Sequence, residues 1–84
     1  MMDKVLVEVT VPAAEKVFDI FIPPESRMYE INRLISAVLS ELSDGKYIGD
    51  DTSVLCDAES GAIFDINMTA VELGIKNGSK LVLI

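Results

Sequence analysis

Residues 28–43 read MYEINRLISAVLSELS, and this stretch decides which folds the rest of the chain can adopt. Apolar side chains recur in it at intervals of three and four residues, which places them on one face of a helix. The apolar positions are Ile31, Leu34, Ile35, Val38, Leu39 and Leu42. The polar positions opposite are Glu30, Arg33, Ser36, Ser40 and Glu41. We predict one amphipathic helix, with Ser26 as its N-cap and Asp44-Gly45 at its end.

Two alternating segments precede the helix and predict a β-hairpin. In residues 5–11, valines alternate with Leu6, Glu8 and Thr10, a period of two that is typical of a strand with one buried face. Residues 17–22 place Phe18, Ile20 and Ile22 on one side of a second strand. Pro23-Pro24 ends that strand, since proline cannot donate a backbone hydrogen bond.

Shorter elements are predicted after the helix. Residues 46–51 form a loop, residues 54–56 and 62–64 are brief strands, and residues 68–73 form a helical turn capped by Thr69. Glu59-Ser60-Gly61 and Asn77-Gly78 are turns, and Leu81–Ile84 is the last strand. The predicted order is therefore ββαββ, a short turn, then β.

Composition indicates one domain and disfavours several partners. A chain of 84 residues is too short for two cores. Fourteen acidic and seven basic residues give a net charge of −7 with no basic stripe, which argues against nucleic acid and anionic membranes. We expect no membrane insertion, because the apolar runs are short. The single cysteine, Cys56, and the lack of a signal peptide predict a cytoplasmic protein.

The sequence offers no catalytic, cofactor-binding or metal-binding constellation. It contains no histidine, which excludes Ser-His-Asp and Cys-His pairs and zinc sites that use histidine. Cys56 has no basic neighbour in sequence to activate it, so we expect a small buried hydrophobe. The acidic residues near Asp50-Asp51 do not follow the calcium-loop spacing. We therefore expect a protein that is not an enzyme.

The hairpin, the helix and the ending LGIKNGSKLVL at 73–83 together resemble the ubiquitin superfamily over the whole chain. That resemblance implies one domain, residues 1–84, with an α+β ubiquitin-like β-grasp fold: a mixed sheet with one helix packed across it. Within the superfamily, LISAVLSEL at 34–42 and the compact length look most like the YukD/EsaB-type proteins of bacterial type VII secretion. Members of that group are cytoplasmic accessory components with no catalytic residues.

A different class of function is a ubiquitin-like carrier or modifier. Such proteins end in a flexible Gly-Gly tail that an activating enzyme can reach. This sequence ends at Ile84 within a predicted strand, so conjugation through the C-terminus is disfavoured. A docking domain for some other assembly is a third alternative.

The sheet face turned away from the helix is the predicted protein-binding site. If the valines of residues 5–11 point inward, their neighbours point outward. The predicted binding residues are Leu6, Phe21, Leu55, Val82 and Ile84. In the strand order that the resemblance implies, the first, third and last strands are neighbours, which would make the patch contiguous. Scattered surface hydrophobes are ordinary, however, and a slip of one residue would bury some of these side chains. Both a heterologous partner and a homo-oligomer remain open.

Overall fold

The computed structural model describes residues 4–42 and 54–84. Its elements are β1 (Val5–Val11), β2 (Lys16–Ile22), α1 (Met28–Leu42), β3 (Leu55–Asp57) and β4 (Lys80–Leu83). The four strands form one mixed sheet in the order β2-β1-β4-β3. The predicted helix end at Asp44-Gly45 and the loop at 46–51 lie outside the described residues.

The predicted hairpin is confirmed. β1 and β2 pair antiparallel over their full lengths, with Val7 opposite Ile20 and Val9 opposite Phe18. A 3-10 turn at Pro12–Ala14 joins them, and Glu15 completes the reversal with a φ of 54°. Valines at alternate positions of β1 point to the same side, where Val7, Val9 and Val11 are buried and Val5 is partly buried.

The last strand lies in the middle of the sheet. β4 runs parallel to β1, with Val9 opposite Leu81, and antiparallel to β3, with Leu55 opposite Leu83. The first, third and last strands are therefore neighbours, as the resemblance implied. A parallel pair requires a long crossover between its strands, and α1 lies within that crossover.

The core lies between α1 and one face of the sheet, here called the inner face. Its buried members from the strands are Val7, Val9, Val11, Ile20, Ile22, Leu55, Leu81 and Leu83. The helix contributes Met28, Ile31, Ile35 and Leu39, and the segment before β4 contributes Ala70 and Ile75. Each is at most 7% exposed, and no charged or polar residue among those described is buried with them. Removal of this apolar surface from water is the main force that holds the helix on the sheet.

The apolar face of the helix is narrower than its sequence pattern predicts. Ile31, Ile35 and Leu39 are completely buried, but Leu34 and Leu42 are 37% and 56% exposed. Leu34, Val38 and Leu42 lie one row further around the helix, because consecutive residues are about 100° apart. That row lies at the margin of the contact with the sheet, so only part of the predicted apolar face is buried.

A distant segment, and not Ser26, supplies partners at the start of the helix. Arg27 is the N-cap, since its carbonyl accepts the N–H of Ile31 at 3.1 Å. The amides of Met28 and Tyr29 donate to the carbonyls of Met68 and Ile66, at 2.8 and 3.1 Å. The Ser26 prediction is wrong because a tertiary contact satisfies these early N–H groups instead of a local hydroxyl.

Of the two short elements predicted between β3 and β4, the strand is reduced and the helical turn is present. Residues 62–64 add no regular strand and make one bridge, Ile63 opposite Cys56. The predicted turn at 59–61 precedes this bridge, and Gly61 adopts a φ of 75° there. Further along, the predicted role of Thr69 is confirmed: its hydroxyl accepts the N–H of Glu72, and the Glu72 carboxylate accepts the N–H of Thr69.

Candidate functional site

The sheet face opposite the helix, here called the outer face, presents its side chains in rows across the strands. Residues that lie opposite one another in neighbouring strands point to the same face. Leu81 and Leu83 are buried on the inner face, so Lys80 and Val82 belong to the outer face. The strand registers therefore give the composition of each row directly.

One row is uncharged across the width of the sheet and, apart from one threonine, apolar. It consists of Val17, Thr10, Val82, Cys56 and Ile63, placed side by side by the pairings of the four strands and the bridge at Ile63. We call it the apolar row. Its two ends are the most open, with Val17 55% and Ile63 66% exposed. Ile84, at 62%, lies two residues beyond Val82 and exchanges two backbone hydrogen bonds with Val54.

The next row is charged. Asp19 is opposite Glu8 in the hairpin, and Glu8 is opposite Lys80 across the parallel pair. We call these three residues the charged row. On its far side lies a smaller apolar pair, Leu6 opposite Phe21. The charged row separates Leu6 and Phe21 from Val82 and Ile84, so the patch predicted from the sequence is not contiguous.

Leu55 is not on the outer face, and this part of the sequence prediction is wrong. Its side chain is 4% exposed and belongs to the core. The reason is register: Leu55 is opposite the buried Leu83, and Cys56 is opposite Val82. A shift of one residue exchanges the two faces of a strand, and three residues contain too little alternation to establish the facing.

Cys56 occupies the outer-face position that was assigned to Leu55. Its thiol is unpaired and the residue is 5% exposed, as expected for a small buried hydrophobe. Neighbours on both sides, Val82 and Ile63, leave little of it open to solvent. Cys56 therefore adds an apolar centre to the row, and its burial keeps the thiol away from solutes.

Sequence reasoning missed two exposed members of the apolar row. Val17 shares the alternation of Phe21, so its outward direction was readable, but its place beside Val82 depends on the parallel pairing. Ile63 gave no signal, since its place depends on a single bridge formed after a turn. Ile63 also lines an open cleft of about 400 Å³ with Phe64, Leu73 and Ile75.

Two carboxylates with perturbed titration are engaged in turns. The Ser60 hydroxyl, and then its backbone N–H, hold the pKa of Asp57 below its usual value. The backbone N–H of Thr69, and then its hydroxyl, do the same for Glu72.

Among residues 4–42 and 54–84, no group of three or more Cys, Asp or Glu side chains is arranged to hold a metal ion. The described helix is too short and too polar to cross a bilayer.

Comparison with protein-family models and with curated proteins gives no match. Solved structures do match. The N-terminal ubiquitin-like domain of the 4931431F19Rik protein has a TM-score of 0.78 at 20% identity, covering 100% of this chain and 76% of that one. The ubiquitin-like domain of the Mycobacterium tuberculosis type VII secretion system protein EccD1 has a TM-score of 0.76 at 18% identity, covering 99% of both chains.

A third similar structure is the ubiquitin-like domain of EccD5 from Mycobacterium xenopi, with a TM-score of 0.70 at 15% identity. The match covers 98% of this chain and 93% of that one. Identities this low establish the fold and leave the role to the chemistry of the surface. The chain therefore has the ubiquitin-like β-grasp fold, a mixed four-stranded sheet with one helix packed across it.

Proposed function

We propose that this chain is a non-catalytic ubiquitin-like adaptor of the bacterial cytoplasm, a YukD/EsaB-type component of a type VII secretion system. It acts by docking a protein partner on the outer face of its sheet. The observation that carries the proposal is the apolar row, which spans the whole sheet on the side that the helix leaves uncovered.

The exposure of the row supports a binding role. Two members of the row, Val17 and Ile63, and the nearby Ile84 are each more than half exposed. Apolar side chains gathered on the surface of a small domain tend to mark interaction sites. The half-buried Val82 lies at the centre of the row, where a partner would desolvate it completely, as the central residues of interfaces are.

The secretion assignment comes from the comparisons and from the resemblance together. Two of the similar structures are ubiquitin-like domains of type VII secretion proteins, EccD1 and EccD5. The EccD1 domain is matched almost end to end, so the shared fold extends over the whole chain and is not confined to the helix and hairpin. The resemblance to the YukD/EsaB type supports the same system.

Complementation of a deletion strain tests the proposal. In a bacterium that encodes the chain and a type VII system, deletion should abolish export of the proteins that this system secretes, and the wild-type gene should restore it. Ile63→Glu places a charge in the apolar row at an exposed site, so folding should persist and export should fail. Val71→Glu is the matched control, since Val71 is 58% exposed and lies outside the sheet.

Site-specific photocrosslinking identifies the partner. A photoreactive residue at Val17 or Ile84 should give an adduct with a component of the secretion apparatus, and the same residue at Val71 should not. Equal export by the Ile63→Glu and Val71→Glu variants, with no adduct from either sheet position, would refute docking on the outer face.

A further inference from the structure

Glu8 and Lys80 carry opposite charges on adjacent central strands, and neither charge is used within the described residues. They are opposite each other in the parallel pair of β1 and β4. Within residues 4–42 and 54–84, neither side chain forms an ion pair or a hydrogen bond. The middle of the outer face therefore presents one negative and one positive group side by side.

We propose that the outer face also docks onto the outer face of a second copy of this chain. The copies are related by a two-fold axis that runs parallel to the strands, between β1 and β4. This rotation exchanges the two central strands, so Glu8 of each copy meets Lys80 of the other. An isologous interface repeats each contact, which gives two intermolecular ion pairs.

The same rotation matches the rows on either side of the charged row. Thr10 of one copy meets Val82 of the other, within the apolar row. Leu6 meets Gly78, which lies in the turn just before β4 and whose N–H donates to the Leu6 carbonyl within each copy. No described atom lies within 4 Å of the position that a Cβ on Gly78 would take, so this place offers room for a leucine side chain.

Charge selects this orientation over the alternative. A two-fold axis that runs along the charged row, perpendicular to the strands, would place Glu8 of one copy against Glu8 of the other, and Lys80 against Lys80. This arrangement is disfavoured because like charges in contact are destabilising. The charged row carries two acidic groups and one basic group, whereas the whole chain has a net charge of −7. Contact through this face therefore keeps most of the excess acidic charge of both copies outside the interface.

The size of the face predicts a weak dimer. Four strands about 4.8 Å apart and rows about 7 Å apart give roughly 400 Å² of sheet per copy. The two copies together would bury about 800 Å², less than the roughly 1,200 Å² at which stable specific interfaces begin, so the contact is weak and transient. The inference rests on the proposed function in using the same face, and it implies that dimer formation and partner docking exclude each other.

Sedimentation equilibrium with paired charge reversals tests the proposal on the purified chain. From about 10 μM to about 1 mM, the wild type should pass from monomer toward dimer. Glu8→Lys and Lys80→Glu should each weaken the dimer at least about tenfold, because each variant brings like charges together twice. An equimolar mixture of the two variants should associate again, since Glu meets Lys at both contacts of the mixed dimer.

Glu25→Lys is the control for total charge, because Glu25 is exposed and lies outside the sheet, and this change also takes the net charge from −7 to −5. It should dimerise at least as well as the wild type. A wild type that stays monomeric at about 1 mM, single reversals that still dimerise, or a mixture that stays monomeric would each overturn the proposal. None of these results bears on export in the complementation assay, which separates this inference from the proposed function.

Discussion

The inner and outer faces of the sheet are made by the same four strands, yet they differ in burial and in polarity. Inner-face residues such as Val7, Val9 and Leu81 are at most 1% exposed, and all are aliphatic. Their neighbours on the outer face include Glu8, Thr10 and Lys80, in rows that alternate between apolar and charged. The comparison shows that side chains on the inner face must be apolar and must fit the core. Side chains on the outer face are free of that requirement and can form the ordered rows that a docking surface needs.

The largest expected effect concerns the inner face. Leu39→Ala should lower the free energy of unfolding by about 2–5 kcal/mol, because its completely buried side chain leaves a cavity under the sheet. Leu34→Ala on the same helix should cost less than about 1 kcal/mol, since Leu34 is more than a third exposed. Urea unfolding followed by circular dichroism measures both. Similar losses in the two variants would mean that the buried face of the helix has been wrongly assigned.

A second substitution sharpens the assignment of β3, where the two faces are separated by one residue. Leu55→Ala should cost about 2–3 kcal/mol, since Leu55 packs in the core beside Leu83 on a strand at the edge of the sheet. Ile84→Ala should stay within about 0.5 kcal/mol, because Ile84 is 62% exposed. Thermal unfolding of both variants distinguishes them. A large loss of stability in Ile84→Ala together with no loss in Leu55→Ala would mean that the inward and outward residues of β3 and of the chain after β4 have been wrongly assigned.

The smallest effect concerns the segment that covers the start of the helix beside the inner face. Thr69→Ala should cost about 1 kcal/mol, because it removes the hydroxyl that accepts the Glu72 N–H. Thr69→Ser retains that hydroxyl and should restore most of the loss. Thr10→Ala on the outer face is the comparison, as no described residue hydrogen-bonds to its hydroxyl. Urea titrations of the three variants provide the test, and equal losses from Thr69 and Thr10 would contradict the cap.

The same cap has a pH dependence with a defined sign. Thr69 holds the folded-state pKa of Glu72 below its usual value, so the charged carboxylate is favoured in the folded chain. Its contribution to stability is complete above the ordinary carboxylate pKa and is lost as the pH falls through the folded-state pKa. Thr69→Ala keeps the backbone N–H that lowers this pKa most and removes only the hydroxyl, so stability should fall slightly less steeply from neutral to acidic pH in the variant than in the wild type. An unchanged pH profile would mean that the Thr69 hydroxyl does not influence the titration of Glu72.

Much of the fold was predictable from local patterns. The alternation of Val7, Val9 and Val11 and the spacing of Ile31, Ile35 and Leu39 correspond to a strand and a helix, because each regular structure imposes its own side-chain period. The N-cap was not predictable, because backbone carbonyls from Ile66 and Met68 replace a local side chain. The reduction of residues 62–64 to a single bridge was not predictable either, since short segments carry little periodic information.

The candidate site was predictable only in part. The outward direction of Leu6, Phe21 and Val82 follows from alternation within each strand. Their separation by the charged row does not, and neither does the burial of Leu55 in place of Cys56. Both depend on how one strand is aligned with the next, and a shift of one residue is invisible in a three-residue strand.

By itself, the sequence determined the hairpin, the amphipathic helix, the buried last strand and the acidic surface, because each follows from side-chain period or charge over a few consecutive residues. The tertiary structure alone decided which outward side chains share a row. Glu8 and Lys80 are more than seventy positions apart in the chain, and the backbone hydrogen bonds between β1 and β4 bring them together. Register between distant strands is set by the packing of the whole core, and for that reason no local pattern could reveal the apolar row or the charged row.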